Sequence, residues 1–303
     1  MTTTELPTTE LPTTELPTTE LPTTGSLRIR SRWSPYVTTG RYVVLFALVC
    51  VFLIPVYVLL VTAFKDPSQV SPSRMWQLPD SLSLDTFRTV WPKLNHGLRN
   101  SLLMAVPAAL ISSLLGAANG FVLSKWRFPG DDIVFPLILF GMFIPYQAIL
   151  IPMRQLLTEW HLIGGLNGLI LVHIIYGLPI TTLIFRSYFA GISDELIDAS
   201  QVDGAGMLRT FAYVALPIAI PAFAVSVIWQ FTSAWNDFLF GLVITNPSSA
   251  PVTVALNNVA GGQVVPYHEA MASALVASIP TLLVYILMGR FFMRGLMAGA
   301  LKG

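Results

Sequence analysis

Six long apolar runs, at residues 42–64, 101–123, 133–153, 166–188, 218–243 and 271–292, set the limits on what this chain can fold into. Each is near the ~20 residues that a helix needs to cross the hydrocarbon core of a bilayer. Lipid offers no hydrogen-bond partner to a bare backbone, so a spanning segment either closes its own bonds as a helix or joins a closed barrel. Barrel strands alternate apolar and polar residues, and these runs do not. Charged residues make up only 11% of the chain, against about 25% in soluble domains. The expected fold class is an all-α membrane protein with six transmembrane helices.

Basic residues orient such a bundle, because they stay on the cytoplasmic side. With the N-terminus inside, eleven of the 17 Lys and Arg fall on the inner face: Arg28, Arg30, Arg32, Arg41, Lys125, Arg127, Arg186, Arg209, Arg290, Arg294 and Lys302. Both termini are then expected in the cytoplasm. The first apolar run is too long for a signal-peptide core and lacks a small-residue cleavage site, so it is expected to be retained.

Thr-Thr-Glu-Leu-Pro occurs four times between Thr3 and Pro22. The recurring proline excludes a continuous helix, and the composition cannot build a core. Residues 1–25 are therefore read as a disordered repeat, and 26–303 as one membrane domain. A single cysteine, Cys50, excludes an internal disulfide and a thiolate metal cluster. A net charge of +1 gives no general attraction to nucleic acid.

Prolines at 55, 107, 136, 145, 179 and 280 lie within the apolar runs. Each removes a backbone donor and bends its helix. Gly116-x-x-x-Gly120, with Ser112 one turn earlier, makes a small-residue stripe suited to close helix packing within the chain.

Between the fourth and fifth runs lies a polar loop, 191–217. Ser193 is placed to cap a helix whose first turn holds Asp194 and Glu195. Leu196, Ala199 and Val202 share one face. Gly204 is placed to end the helix in the left-handed conformation. A second short helix carries Met207, Phe211 and Val214 on one stripe, and Pro217 marks the junction with the fifth run. Small residues at Ala199, Ser200, Gly204 and Ala205 let another surface approach the backbone.

Asp198-Ala199-Ser200-Gln201-Val202-Asp203-Gly204-Ala205 resembles the "EAA" loop of ABC-importer permeases, with Asp198 in place of the usual Glu and Ser200 in place of the second Ala. Trp235-Asn236-Asp237-Phe238-Leu239 and the ending from Arg294 to Gly303 resemble further segments of the carbohydrate-type group, whose shorter six-span members are maltose-permease-like. The similarity runs from about Arg41 to Gly303. Residues 119–124 and 250–258 look most like glucose or mannose importers.

The resemblance implies the MetI-like permease fold and a subunit that forms half of a sugar pathway. It implies a second permease subunit, an ATPase dimer, an extracytoplasmic sugar-binding protein and surrounding membrane lipid as partners. ATP and Mg are expected on the ATPase, with no cofactor, metal or catalytic residue on this chain. The sequence agrees in having no Gly-Lys pair, and so no phosphate-cradling Gly-x-x-x-x-Gly-Lys-Ser/Thr loop. ATPase coupling is assigned to Asp198, Ala199, Ser200, Asp203, Gly204, Ala205, Phe211 and Pro217, with Phe211 anchoring in a partner pocket. The loop 246–268 is expected to touch the binding protein, although 252–256 also reads as a membrane-proximal helix.

Amides and aromatic faces suit sugars, and the pathway candidates are Tyr146, Gln147, Gln230, Trp235, Asn236 and Asp237. Asn119, His173, Tyr176 and Trp229 are further polar or aromatic groups within the runs. Asp237 reads either as part of an external gate or as a capped interfacial acid. His173 has no acid within one turn of it in sequence, which argues against a proton relay. An ion-coupled carrier needs buried acids that the runs scarcely offer, and an enzyme needs a cluster of reactive groups that is not evident. An ABC permease for another small solute is the remaining alternative.

Overall fold

The computed structural model describes residues 35–126, 128–262 and 266–300. The repeat at 1–25, Arg28, Arg30, Arg32, Arg127 and Lys302 lie outside the described residues. Contacts divide the chain into two units, Met1–Val51 and Phe52–Gly303. The first helix, α1 (Pro35–Ala63), is largely apolar from Tyr42 onward, and its side chains from Tyr42 to Val51 are exposed.

The core of the second unit is built on α2 (Asp85–Lys125) and α5 (Leu166–Ala190). Helix α2 starts sixteen residues before the apolar run that predicted it. Thr86, Val90, Leu94, Gly97 and Ser101 recur at three- and four-residue spacing and are all buried, so the polar leading stretch is an amphipathic continuation of the same helix. The small-residue stripe packs within the chain as expected. A methyl on Gly116 would lie 2.3 Å from Thr181 Oγ1, and one on Gly120 would lie 2.6 Å from the Arg186 backbone nitrogen. Pro107 and Pro179 sit inside α2 and α5 without breaking them.

Among the described residues four helices are long and apolar enough to cross a bilayer: 39–63, 85–125, 166–190 and 267–289, the last within α12 (Tyr267–Ala300). The other two expected spans are broken. The run 133–153 is split between α3 (Asp131–Phe140) and α4 (Tyr146–Glu159), which meet at 99°. Pro145 causes the break: it donates no N–H, and it holds the preceding Ile144 in an extended conformation.

The run 218–243 is also not one helix. Its main piece, α9 (Ile220–Asn236), turns 79° from the segment Met207–Ile218. Pro221 cannot donate back to the carbonyl one turn earlier, and Ala219 leaves helical geometry. After Asn236 the backbone extends at Asp237, then resumes as α10 (Leu239–Ile244).

The stretch 246–268 holds a helix, α11 (Val252–Ala260), rather than loop alone. Val252 is fully buried, with its Cα 3.0 Å from where a methyl on Gly97 would be, and its N–H donates to Ser101 Oγ at 2.8 Å. Gly261 and Gly262 follow it as a turn, and residues 263–265 lie outside the described residues. Between α1 and α2, Lys65 is buried and donates to the Arg74 carbonyl at 2.7 Å. Burial, with Arg74 close by, pushes its ammonium below the usual lysine range.

Candidate functional site

The loop after α5 folds as two short helices around a glycine. Helix α6 (Asp194–Val202) is capped by Ser193, whose hydroxyl accepts the Glu195 N–H at 3.2 Å. Gly204 takes φ +81°. The Gly204 N–H donates to Gln201 O and the Ala205 N–H to Ser200 O, both at 2.9 Å, which is the paired Schellman ending of a helix. Helix α7 (Met207–Thr210) follows, then a π-helical turn at Phe211–Ala215 and the short α8 (Leu216–Ile218).

Three contacts fix this unit to itself and to the long helices. Ser200 and Thr210, both buried, share a hydrogen bond at 2.9 Å between their hydroxyls and lock α6 to α7. Lys125, at the end of α2, donates to Asp194 Oδ1 and to the Ile192 carbonyl. Phe211 packs 5.5 Å from Phe121 of α2, in a cluster with Phe185, Phe189 and Ile197. On the other face Leu196, Val202, Leu208 and Tyr213 are exposed, Val202 at 88%. Asp198, Ala199, Asp203, Gly204 and Pro217 are exposed as well.

A cavity of ≈ 370 Å³ lies between α5 and α9, reached also by the α3–α4 bend and α10. Tyr146, His173, Tyr176, Trp229, Gln230 and Asp237 are among its lining residues, with Asn236 beside them. The buried amide of Gln230 donates to the His173 carbonyl at 2.8 Å, and Gly177 makes room for it: a methyl there would lie 2.5 Å from the amide. Asp237, at the break after α9, accepts the N–H groups of Phe240 at 3.4 Å and Gly241 at 3.1 Å. Its Oδ2 lies 3.6 Å from His173 Nε2. Phe240 meets the rings of Tyr146, His173 and Tyr176 at 5.2–5.7 Å. Among the described residues no group of three or more His, Cys, Asp or Glu is placed to hold a metal ion.

Residues 112–297 match the family described as "Binding-protein-dependent transport system inner membrane component". The chain belongs to this family of ABC-importer permeases. A protein of Pyrococcus horikoshii named "Probable ABC transporter permease protein" is 39% identical over 86% of this chain and 96% of its own length. The glucose import system permease of Saccharolobus solfataricus is 30% identical, over 85% of this chain and 93% of its own. The xylose/arabinose import permease of Haloferax volcanii is 31% identical, over 81% and 87%. A crystal structure of a bacterial ABC transporter that imports the acidic polysaccharide alginate superposes with a TM-score of 0.74 at 20% identity, covering 86% of this chain and 98% of that one. The permease is thus a multi-pass membrane protein with the MetI-like fold.

Several residues of the permease take places that the sequence did not indicate. Phe211, expected to reach a partner's pocket, instead packs on Phe121 at the start of the π-helical turn. Ser200 is buried against Thr210 and is not on the approach surface. Trp235 is 2% exposed, stacks on Phe231 at 5.5 Å and donates to the Ala277 carbonyl of α12 at 3.0 Å, so it belongs to the core and does not line the cavity. Gln147 is exposed in the first turn of α4, away from the cavity lining. Asn119 faces Thr182 between α2 and α5.

Tyr146, Gln230, Asn236 and Asp237 do converge on the cavity. His173 joins them and meets an acid after all, since the break after α9 carries Asp237 to α5, 64 residues away in sequence. The broken helix at Asp237 was the one available signal: a polar Trp-Asn-Asp sequence inside an apolar run.

Proposed function

We propose that this permease forms half of the translocation pathway of an ATP-driven importer for glucose or a related sugar. The observation that carries the reading is the loop 191–217: a self-locked helix pair, tied to α2 and backed by an aromatic cluster, with an exposed apolar face. An exposed face of this kind, rimmed by Asp198 and Asp203, suits a protein partner. The sequence offers no phosphate loop of its own, so ATP and Mg are handled by a separate ATPase dimer that grips Leu196, Val202, Leu208 and the backbone around Gly204. A second permease subunit completes the pathway.

Coupling follows from rigidity. When the ATPase subunits move together on binding ATP, the α6–α7 unit is carried with them. Phe211 and Lys125 pass the displacement to α2, and alternating access results from the differing stability of the two arrangements. The loop lies on the cytoplasmic side, where the basic residues concentrate, with both termini. Residues 246–268 face the extracytoplasmic binding protein. One solved relative in fold is an alginate transporter in complex with a periplasmic protein carrying an alginate pentasaccharide, and the relatives named for glucose and for xylose/arabinose support a sugar as cargo.

Affinity purification from the native membrane tests this reading. An ATPase and a second permease should co-purify, and Gly204→Val should release the ATPase while the chain stays in the membrane. Recovery of the chain alone, active in proton- or sodium-driven uptake, would replace the importer by an ion-coupled carrier.

A further inference from the structure

His173, which lines the cavity between α5 and α9, carries a buried polar atom that makes no hydrogen bond. His173 Nε2 has no hydrogen-bond partner among the described residues, and its side chain is 5% exposed. Buried polar atoms left unpaired are costly, so such an atom facing a cavity marks where a ligand group belongs. The nearest acceptor, Asp237 Oδ2, is 3.6 Å away, too far for a direct hydrogen bond. An oxygen about 2.8 Å from each would reach both at once. The group that fits is a hydroxyl, which donates to the Asp237 carboxylate and accepts from the imidazole N–H.

The surroundings favour the same chemistry. Tyr146, Tyr176 and Trp229 supply aromatic faces for the C–H side of a ring, and Asn236 supplies amide donors and an acceptor. The titratable groups facing the cavity are His173, Asp237 and the two tyrosine hydroxyls. Among the described residues neither Lys nor Arg lines it. Asp237 is held in place by the Phe240 and Gly241 N–H groups. A solute carboxylate placed beside it would meet like charge without a cation to offset it.

We propose that His173 and Asp237 form a solute-contacting pair that selects uncharged polyhydroxylated sugars and rejects acidic ones. The inference rests on the sugar-importer reading above and adds that this subunit itself touches the cargo. Asp237 acts by its charge as well as by its hydrogen bond, and His173 orients the shared hydroxyl.

Saturation-transfer NMR on the complete permease–ATPase assembly in nanodiscs, with the binding protein left out, tests the pair directly. The probes are glucose, xylose, maltose and glucuronate. Wild type should give signals with at least one neutral sugar and none with glucuronate. His173→Leu should weaken the neutral-sugar signal at least fivefold. Asp237→Asn keeps one acceptor oxygen, enough for either the Phe240 or the Gly241 N–H, and should admit glucuronate. Co-elution of permease and ATPase in gel filtration reports intact assembly for each variant, and if one fails to assemble the other still decides.

No binding of any neutral sugar, equal binding of glucuronate by wild type, or unchanged signals in the assembled variants would each overturn the pair. Uptake of the same sugars by vesicles carrying the importer and its binding protein is scored separately. Uptake without dependence on the pair leaves the importer standing and removes the inference. No uptake of any sugar removes the sugar reading and the inference with it.

Discussion

The ring of Phe211 sits 5.5 Å from that of Phe121, tilted by 41°, and joins the loop 191–217 to the long helix α2. Phe121 is buried and Phe211 is partly so. Truncating Phe211 to Ala should therefore cost less than the ~3–5 kcal/mol typical of a fully buried ring, roughly 2 kcal/mol. A double-mutant cycle with Phe121→Ala should return a coupling of about 0.5–1.5 kcal/mol. The functional effect should exceed the structural one: ATP hydrolysis by the assembly continues while sugar uptake falls. Proportional loss of both activities would show that the contact only stabilises the fold.

Gly204 tests backbone conformation apart from packing. It stands at φ +81°, and nothing lies within 4 Å of where a Cβ would be. Strain is thus the main intramolecular consequence of substitution. Valine at this left-handed position should cost about 1–2 kcal/mol or more and loosen the Schellman turn. Asparagine, which tolerates the conformation, should keep the turn and ATPase co-purification. If both variants lose the ATPase equally, the partner approaches the backbone too closely for any side chain.

Gly116 tests packing alone. A methyl there meets Thr181 Oγ1, which is bound to the Ser112 and Gly177 carbonyls and has no free rotation to escape. Gly116→Ala should lower stability by roughly 1–3 kcal/mol. Gly116→Val should prevent accumulation of folded protein, as read by detergent gel filtration. Gly40, whose added methyl would meet nothing within 4 Å, should accept alanine with little effect.

Trp235 separates core from pathway. Trp235→Phe keeps the stacking on Phe231 and removes the N–H that donates to the Ala277 carbonyl. Thermal unfolding in detergent should report a loss of about 1–2 kcal/mol. Sugar affinity should stay unchanged, since the indole does not line the cavity. An altered sugar preference would return Trp235 to the pathway.

Acid sensitivity is expected in the connection between α1 and α2. The Ser68 hydroxyl and N–H, both donating to Asp66, hold its carboxyl below the usual range. A depressed folded value means that Asp66 contributes fully above the ordinary carboxylate pKa, and that this contribution is lost as pH falls through the lowered value. Hydrogen exchange in peptides covering 65–82, corrected for the intrinsic pH dependence, should rise in acid. Asp66→Asn should flatten that rise.

Much of this protein was legible in its sequence. The lengths of the apolar runs marked the four helices long enough to span and the two bent pairs, because lipid leaves a backbone no other way to satisfy its hydrogen bonds. Ser193 and Gly204 marked both ends of α6, since a cap and a left-handed turn depend on local chemistry alone. The stripe at Gly116 and Gly120 announced a close helix contact. What the sequence could not determine is which side chains meet. Proline gives a bend but not its size, so the 99° and 79° breaks appear only in the fold. The inward turn of Phe211, the burial of Trp235 and the meeting of His173 with Asp237 each depend on how separate helices are rotated and bent against one another. Those rotations are settled by packing between residues distant in the chain, and the tertiary structure alone decides them.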